Sequence, residues 1–176
     1  MYIETEQLII RSTEPSDANA YIDMASDGSL DEDIFCGCSR DYAEWMPGWI
    51  EENILFDKED NPMTESIAYT IVEKERGVPV GSVGCTYYED SKQVGIVYFI
   101  GTEYRGKGYA AEAVRAYVKY FFGHYNIQKL LANIRNANIA SCKVAENAGF
   151  SLVDMRMYQD YGDEAEKLYN FYVIKK

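Results

Sequence analysis

The stretch YRGKGYAAEA, residues 104–113, places two glycines and two cations immediately before a helix-forming run. Upstream lies GIVYFI (95–100), which reads as a buried strand. A strand, a glycine turn and a helix together form an anion cradle. Gly106 and Gly108 allow close backbone approach with N–H groups turned inward. The helix that follows adds the positive end of its dipole. Arg105 and Lys107 can add charge to the same place.

Three anion-binding patterns overlap here. GTEYRGKG (101–108) stops one residue short of a Walker A loop, because Gly108 stands where a Ser or Thr would hold Mg²⁺. GKGYAA (106–111) fits the loose dinucleotide pattern, but no Asp or Glu occurs between Glu112 and Glu146 to hold a ribose. The third window is Arg105-Gly106-Lys107-Gly108-Tyr109-Ala110, or R-x-x-G-x-A.

The surrounding elements must position this loop. Residues 7–12 read as a strand, and Ala18, Tyr21, Ile22 and Ala25 have helical spacing. RDYAEWMPGWIEENILFD (40–57) predicts one or two short helices broken at Pro47-Gly48. Residues 67–73, 78–89 and 93–100 are rich in Val, Ile and Tyr and predict three successive antiparallel strands. Ala110, Val114, Tyr117, Val118 and Phe121 form one apolar stripe on a helix that Gly123 should end. Then come a strand at 129–134, a helix with Asn caps that stops at Gly149, and two last strands at 151–158 and 168–176. The pattern is α+β (mixed α/β): one largely antiparallel sheet flanked by helices, in a single domain over 1–176.

Composition narrows the function. The 17 Lys and Arg against 29 Asp and Glu give a net charge of −12. That disfavours nucleic acid and permits a cationic substrate. No apolar run approaches the ~20 residues of a membrane span. The acidic N-terminus lacks a signal-peptide layout, so a cytoplasmic location is expected. Cys36, Cys38, Cys85 and Cys142 fit no disulfide framework and read as reduced thiols. Cys36-Gly37-Cys38 lacks a second Cys/His pair, so no metal site is expected.

The R-x-x-G-x-A loop, at the end of the fourth predicted strand, resembles the pyrophosphate loop of the GNAT superfamily of acyl-CoA-dependent N-acyltransferases. NANIASCKVAENAGF (136–150) resembles the family's next signature, carried here by Asn138, Ser141, Gly149 and Phe150. The element order agrees along nearly the whole chain, and the pattern looks most like the RimJ/RimL branch.

The resemblance implies an acetyl-CoA-dependent N-acetyltransferase in which an amine attacks the thioester directly. The acceptor would be a protein N-terminus or a small cationic amine, and the chain a monomer or homodimer. The resemblance assigns the pyrophosphate to residues 105–110 and the pantetheine arm to the strand Ile96–Ile100, with Phe99 and Ile100 as backbone partners. A bulge there should leave the N–H of Val97 or Tyr98 for the thioester oxygen. Ser141 becomes the proton donor to the thiolate, or else a first-turn cap; Asn138 becomes a cofactor contact or a helix cap.

Two departures stand out. The tyrosine many members use is replaced by residues such as Val144 and Ala145. The Glu of E-I-G-Y is missing from Gly95-Ile96-Val97-Tyr98, so Glu73, Glu89 and Asp90 stay open as bases, with His124 as the single histidine. These losses keep a second reading alive: a catalytically degenerate acyl-CoA-binding module. The acceptor pocket is expected from residues 31–35, Glu44, Trp45, Trp49, Glu51, Glu52, Tyr158, Tyr161 and Tyr169.

Overall fold

The computed structural model describes residues 1–31, 34–35, 38–160 and 162–176. Eight strands form one sheet: β1 (Tyr2–Glu4), β2 (Leu8–Ser12), β3 (Ile67–Glu73), β4 (Val78–Tyr88), β5 (Gln93–Ile100), β6 (Lys129–Arg135), β7 (Ser151–Tyr158) and β8 (Lys167–Lys175). Their order is β1-β2-β3-β4-β5-β6-β8-β7. Every neighbouring pair is antiparallel except β5 with β6. The helices are α1 (Ala18–Ala25), α2 (Tyr42–Glu59), α3 (Tyr109–His124) and α4 (Ile139–Asn147). None of the described helices is long and apolar enough to cross a membrane.

Alternation along β5 sorts the two faces. Ile96 and Ile100 join the core cluster of α3, whereas Phe99 joins the cluster of α1 and α2. The apolar stripe of α3 is buried as expected, from Ala113 and Val114 through Tyr117 to Phe121.

Three expectations change. Strand β1 was not foreseen: three residues are too few to show a period, and pairing of Tyr2 with Arg11 and Glu4 with Ile9 defines it. Pro47 lies inside a continuous α2. An interior proline costs about 3 kcal/mol. Met46 and Ile50, both buried, each contribute about 2 kcal/mol on this helix, which offsets that cost. Gly123 does not end α3, which continues to His124. The stop is Tyr125, whose hydroxyl donates to Asp60 while His124 Nε2 lies 2.6 Å from the same carboxylate. Asp60 caps α2 in a left-handed conformation, so the ends of α2 and α3 are tied together.

Candidate active site

Strands β5 and β6 touch at one pair, Gly95 opposite Leu131. Beyond it they part. β5 stays on β4 through all eight residues, and β6 stays on β8 through all seven. The parting opens a cleft of about 790 Å³. Its floor includes Ile96 to Ile100 of β5 and Asn133 to Arg135 of β6, and the starts of α3 and α4 form its rim.

Backbone groups face this cleft in a fixed alternation. The Gly101 N–H donates to Val80 O at 3.0 Å, so the odd-numbered residues of β5 turn their N–H and C=O toward β4. Tyr98 and Ile100 therefore turn theirs toward the parting. On β6, the Asn136 N–H bonds Leu168 O at 2.8 Å, which by the same rule leaves the backbone of Asn133 facing the cleft.

This corrects two expectations. Phe99 and Val97 spend their backbone groups on Ser82 and Gly84 of β4, so neither is a backbone partner for a ligand; the Phe99 side chain still lines the cleft. The register of β5 on β4 runs without a shift, so the expected bulge is absent and the free N–H belongs to Tyr98.

The loop takes the conformation its glycines allow. Gly106 has φ +79° and Gly108 φ +83°, and a Cβ at either position would meet open space. Gly108 is the N-cap of α3 and has no side chain to satisfy the first-turn N–H groups. Arg105, Gly106, Gly108, Tyr109 and Ala110 line the mouth of the cleft, where the first-turn N–H groups of α3 present the positive end of its dipole.

The cations serve the loop's frame. Arg105 Nε donates to Ile100 O at 3.0 Å, and an NH₂ group donates to Ser29 Oγ at 3.3 Å. Lys107 does not line the cleft; its Nζ lies 3.6 Å from Glu73 and over the rings of Tyr104 and Tyr109. The Tyr109 hydroxyl donates to the same Glu73. Arg76 beside it, with Tyr109, holds the Glu73 carboxyl down at about 2. Such a carboxylate is a weak base, and Glu73 lies outside the cleft lining.

At the other rim, Asn138 caps α4: its Oδ1 accepts from the Ser141 N–H at 3.1 Å. The cap is therefore Asn138, not Ser141. The Tyr98 hydroxyl donates to Ser141 O at 2.9 Å and ties β5 to the first turn of α4. Burial pushes that phenol well above its usual range. With its N–H and C=O both engaged, Ser141 keeps a hydroxyl in the cleft lining that has no partner among the described residues.

The deep end is built from β6 and the β7–β8 connection. Asp163 is fully buried. Burial alone would raise its carboxyl, but hydrogen bonds from Tyr169, Lys167, the Asp160 backbone and Arg135 outweigh it and hold the group below the ordinary carboxylate range. This knot fixes Asp160 and Tyr169 in the cleft lining.

Two residues escaped the sequence reading. Asp160 is the one described carboxylate that lines the cleft. Asn133 also lines it, with a buried Oδ1 that has no partner among the described residues. A polar residue amid KLLANIR was the available signal for Asn133; nothing local marks Asp160.

Several expected acceptor residues lie elsewhere. Trp45 and Trp49 pack with Tyr21, Phe35 and Phe99 in the second core cluster, and Glu44, Glu51 and Glu52 are exposed on α2, outside the lining. Asp31 pairs with Arg40 at 2.8 Å. Tyr158 donates to Asp90, also outside the lining. Glu32, Asp33, Cys36, Gly37 and Tyr161 lie outside the described residues; Cys38 is exposed, and Cys85 and Cys142 are buried thiols. His124 belongs to the α2–α3 tie rather than to the cleft.

Strands β5 and β6 part beside a helix whose N-cap is Gly108, and this arrangement agrees with the GNAT acetyltransferase family. The family model "Acetyltransferase (GNAT) domain" matches residues 7–151, and the chain belongs to that family. It is 26% identical over 149 residues to the uncharacterized N-acetyltransferase YnaD of Bacillus subtilis, covering 85% of this chain and 82% of that one. A GNAT-family acetyltransferase structure from Bacillus anthracis superposes with a TM-score of 0.81 at 21% identity, covering 99% of this chain and 98% of the other. RimL, a ribosomal L7/L12 alpha-N-protein acetyltransferase solved with coenzyme A, gives 0.81 at 18% identity, with coverage of 99% and 98%. By class the protein is an N-acetyltransferase, with RimL among its fold neighbours.

Proposed function

We propose that this protein transfers an acetyl group from acetyl-CoA to a primary amine, either a protein N-terminus or a small cationic amine. The carrying observation is the pair of left-handed glycines at an uncapped helix start, opening directly on the unpaired edge of β5. That hollow suits a pyrophosphate, and the outward C=O of Tyr98 suits an amide N–H of an extended arm.

Acetyl-CoA, when bound, supplies the thioester electrophile. The loop N–H groups hold its phosphates, and the side chain of Asn133 stands where the arm would pass between the strands. The Tyr98 N–H donates to the carbonyl oxygen as negative charge develops there. The amine nitrogen bonds to the acetyl carbon and the C–S bond breaks. Ser141 gives its hydroxyl proton to the leaving sulfur and regains one from solvent. Asp160 holds the cationic acceptor by charge and takes the proton its nitrogen sheds. Positioning two reactants side by side supplies much of the rate.

A screen of acetyl-CoA consumption over N-terminal peptides, polyamines and aminoglycosides tests this reading. Turnover with a primary amine is expected. Tight CoA binding with no turnover across the panel would select the degenerate binding module instead.

A further inference from the structure

Gly95 stands where β5 touches β6, at the deep end of the cleft. A side chain cannot stand there. A Cβ on Gly95 would lie 2.2 Å from Cε2 of Tyr88 and 3.1 Å from both Cδ2 and Cζ. Pairing puts Thr86 opposite Gly95 and Tyr88 opposite Gln93, so the Tyr88 ring leans diagonally across the glycine. Residues opposite one another share a face of the sheet. This face is the one that carries Phe99, toward α1 and α2.

A ring over a strand glycine shields backbone that the glycine leaves bare. Shielding alone does not account for the company this ring keeps. Tyr88 lines the cleft together with Asp160 and Tyr169. Burial, and next the negative charge of Asp160, push its phenol above the ordinary range, so the hydroxyl stays protonated at neutral pH. Arg135, which also lines the cleft, is paired with Asp163. An aromatic ring beside a carboxylate, away from bulk water, favours an ammonium group. Position along β5 says which ammonium. From the mouth inward the strand runs Ile100, Tyr98, Gly95, so the ring lies past the Tyr98 N–H, on the far side from the pyrophosphate loop.

We propose that Tyr88 selects the acceptor: its ring receives the ammonium of the incoming amine, with Asp160 beside it, and Gly95 makes room for the ring. The inference rests on the acetyl-transfer reading only in naming that cation as the acceptor. Tyr88 binds and orients the amine, and Asp160 remains the group that takes its proton. The two ends of the cleft are then separable: Tyr88 governs affinity for the amine and leaves affinity for coenzyme A to the loop at the mouth.

Titration of n-butylammonium into the full chain, followed by NMR with n-butanol as the uncharged control, tests the site without any cofactor. Wild type should bind the cation about fivefold or more tightly than the alcohol. Tyr88→Leu should lose that preference, and Tyr88→Phe, which keeps the ring, should recover it. Gly95→Ala must displace the ring, so it should weaken cation binding as Tyr88→Leu does. Adding it to Tyr88→Leu should cost little more. In turnover with n-butylamine, Tyr88→Leu should raise the amine's KM about fivefold or more and leave CoA affinity at the wild-type level. Thermal unfolding checks each variant, because a purely shielding ring would lower stability with no change in amine KM. Equal binding of cation and alcohol by wild type overturns the proposal. So does a folded Tyr88→Leu with wild-type cation affinity, or one whose only change is acceptance of longer acyl-CoA. Cation binding through Tyr88 with no acetyl transfer to any amine would uphold this site and overturn the transfer reading instead.

Discussion

The mouth of the cleft and its deep end are built by different means. The mouth is almost all backbone: two left-handed glycines, the first turn of α3 and the unpaired edge of β5. The deep end is side chains from distant segments: Asn133 and Arg135 on β6, then Asp160, Asp163 and Tyr169 around the β7–β8 connection. A backbone cradle tolerates many side chains and recognises a constant group such as a phosphate. A side-chain pocket changes with each substitution, which suits the partner that differs among enzymes sharing one fold.

The sharpest test of this contrast in stability is at Asp163. Replacing it by Ala leaves Arg135 buried with no counter-charge from Asp163 and should cost about 3 kcal/mol. Because its folded carboxyl titrates below the ordinary range, its contribution is full above that range and fades as pH falls through the folded value. Acid unfolding of Asp163→Ala should therefore begin from a lower plateau and fall less steeply. An unfolding midpoint equal to wild type at neutral pH would show that the knot does not hold the deep end.

At the junction of the two halves, Ser141→Ala should lower kcat by about tenfold to hundredfold and leave CoA affinity close to wild type, since a leaving-group proton matters in the transition state. Stability should hardly change, because the α4 cap is Asn138. A loss of stability with normal turnover would return Ser141 to a structural role.

Asp160→Asn addresses the deep end alone. The amine's KM should rise about tenfold and its dependence on salt should flatten, as the screened attraction is removed. CoA binding should stay as it was. An anionic amine preferred over cationic ones would contradict the assignment.

The smallest effect is expected at Lys107. Its ammonium is directed to Glu73, so Lys107→Ala should weaken CoA binding by no more than about threefold. A loss near hundredfold would mean that the loop works by side-chain charge and not by backbone.

The same division explains what the sequence made legible. R-x-x-G-x-A announced a backbone device, because glycines at set spacing before a helix have few other uses, and β3 and β5 fell where their β-branched and aromatic runs predicted. What stayed hidden depended on direction. Phe99 and Tyr98 are neighbours of equal promise in the chain, yet only the pairing with β4 shows that Tyr98, and not Phe99, offers its backbone to the cleft. Asp160 gained meaning only when Asp163 and Arg135 met across the fold. The acids of α2 looked like an acceptor wall in sequence, whereas the helix turns Glu44, Glu51 and Glu52 to the surface.

The central claim is that the backbone of residues 105–110 holds the phosphates of coenzyme A. Titration calorimetry of CoA against wild type and Gly108→Asp measures it directly. The new side chain fits without a clash in the open hollow and adds a negative charge where the anion belongs. The left-handed φ of +83° costs the variant about 1 kcal/mol of stability, so it should remain folded. The account predicts CoA affinity at least about a hundredfold weaker in the folded variant. Equal affinity in wild type and in folded Gly108→Asp would contradict it.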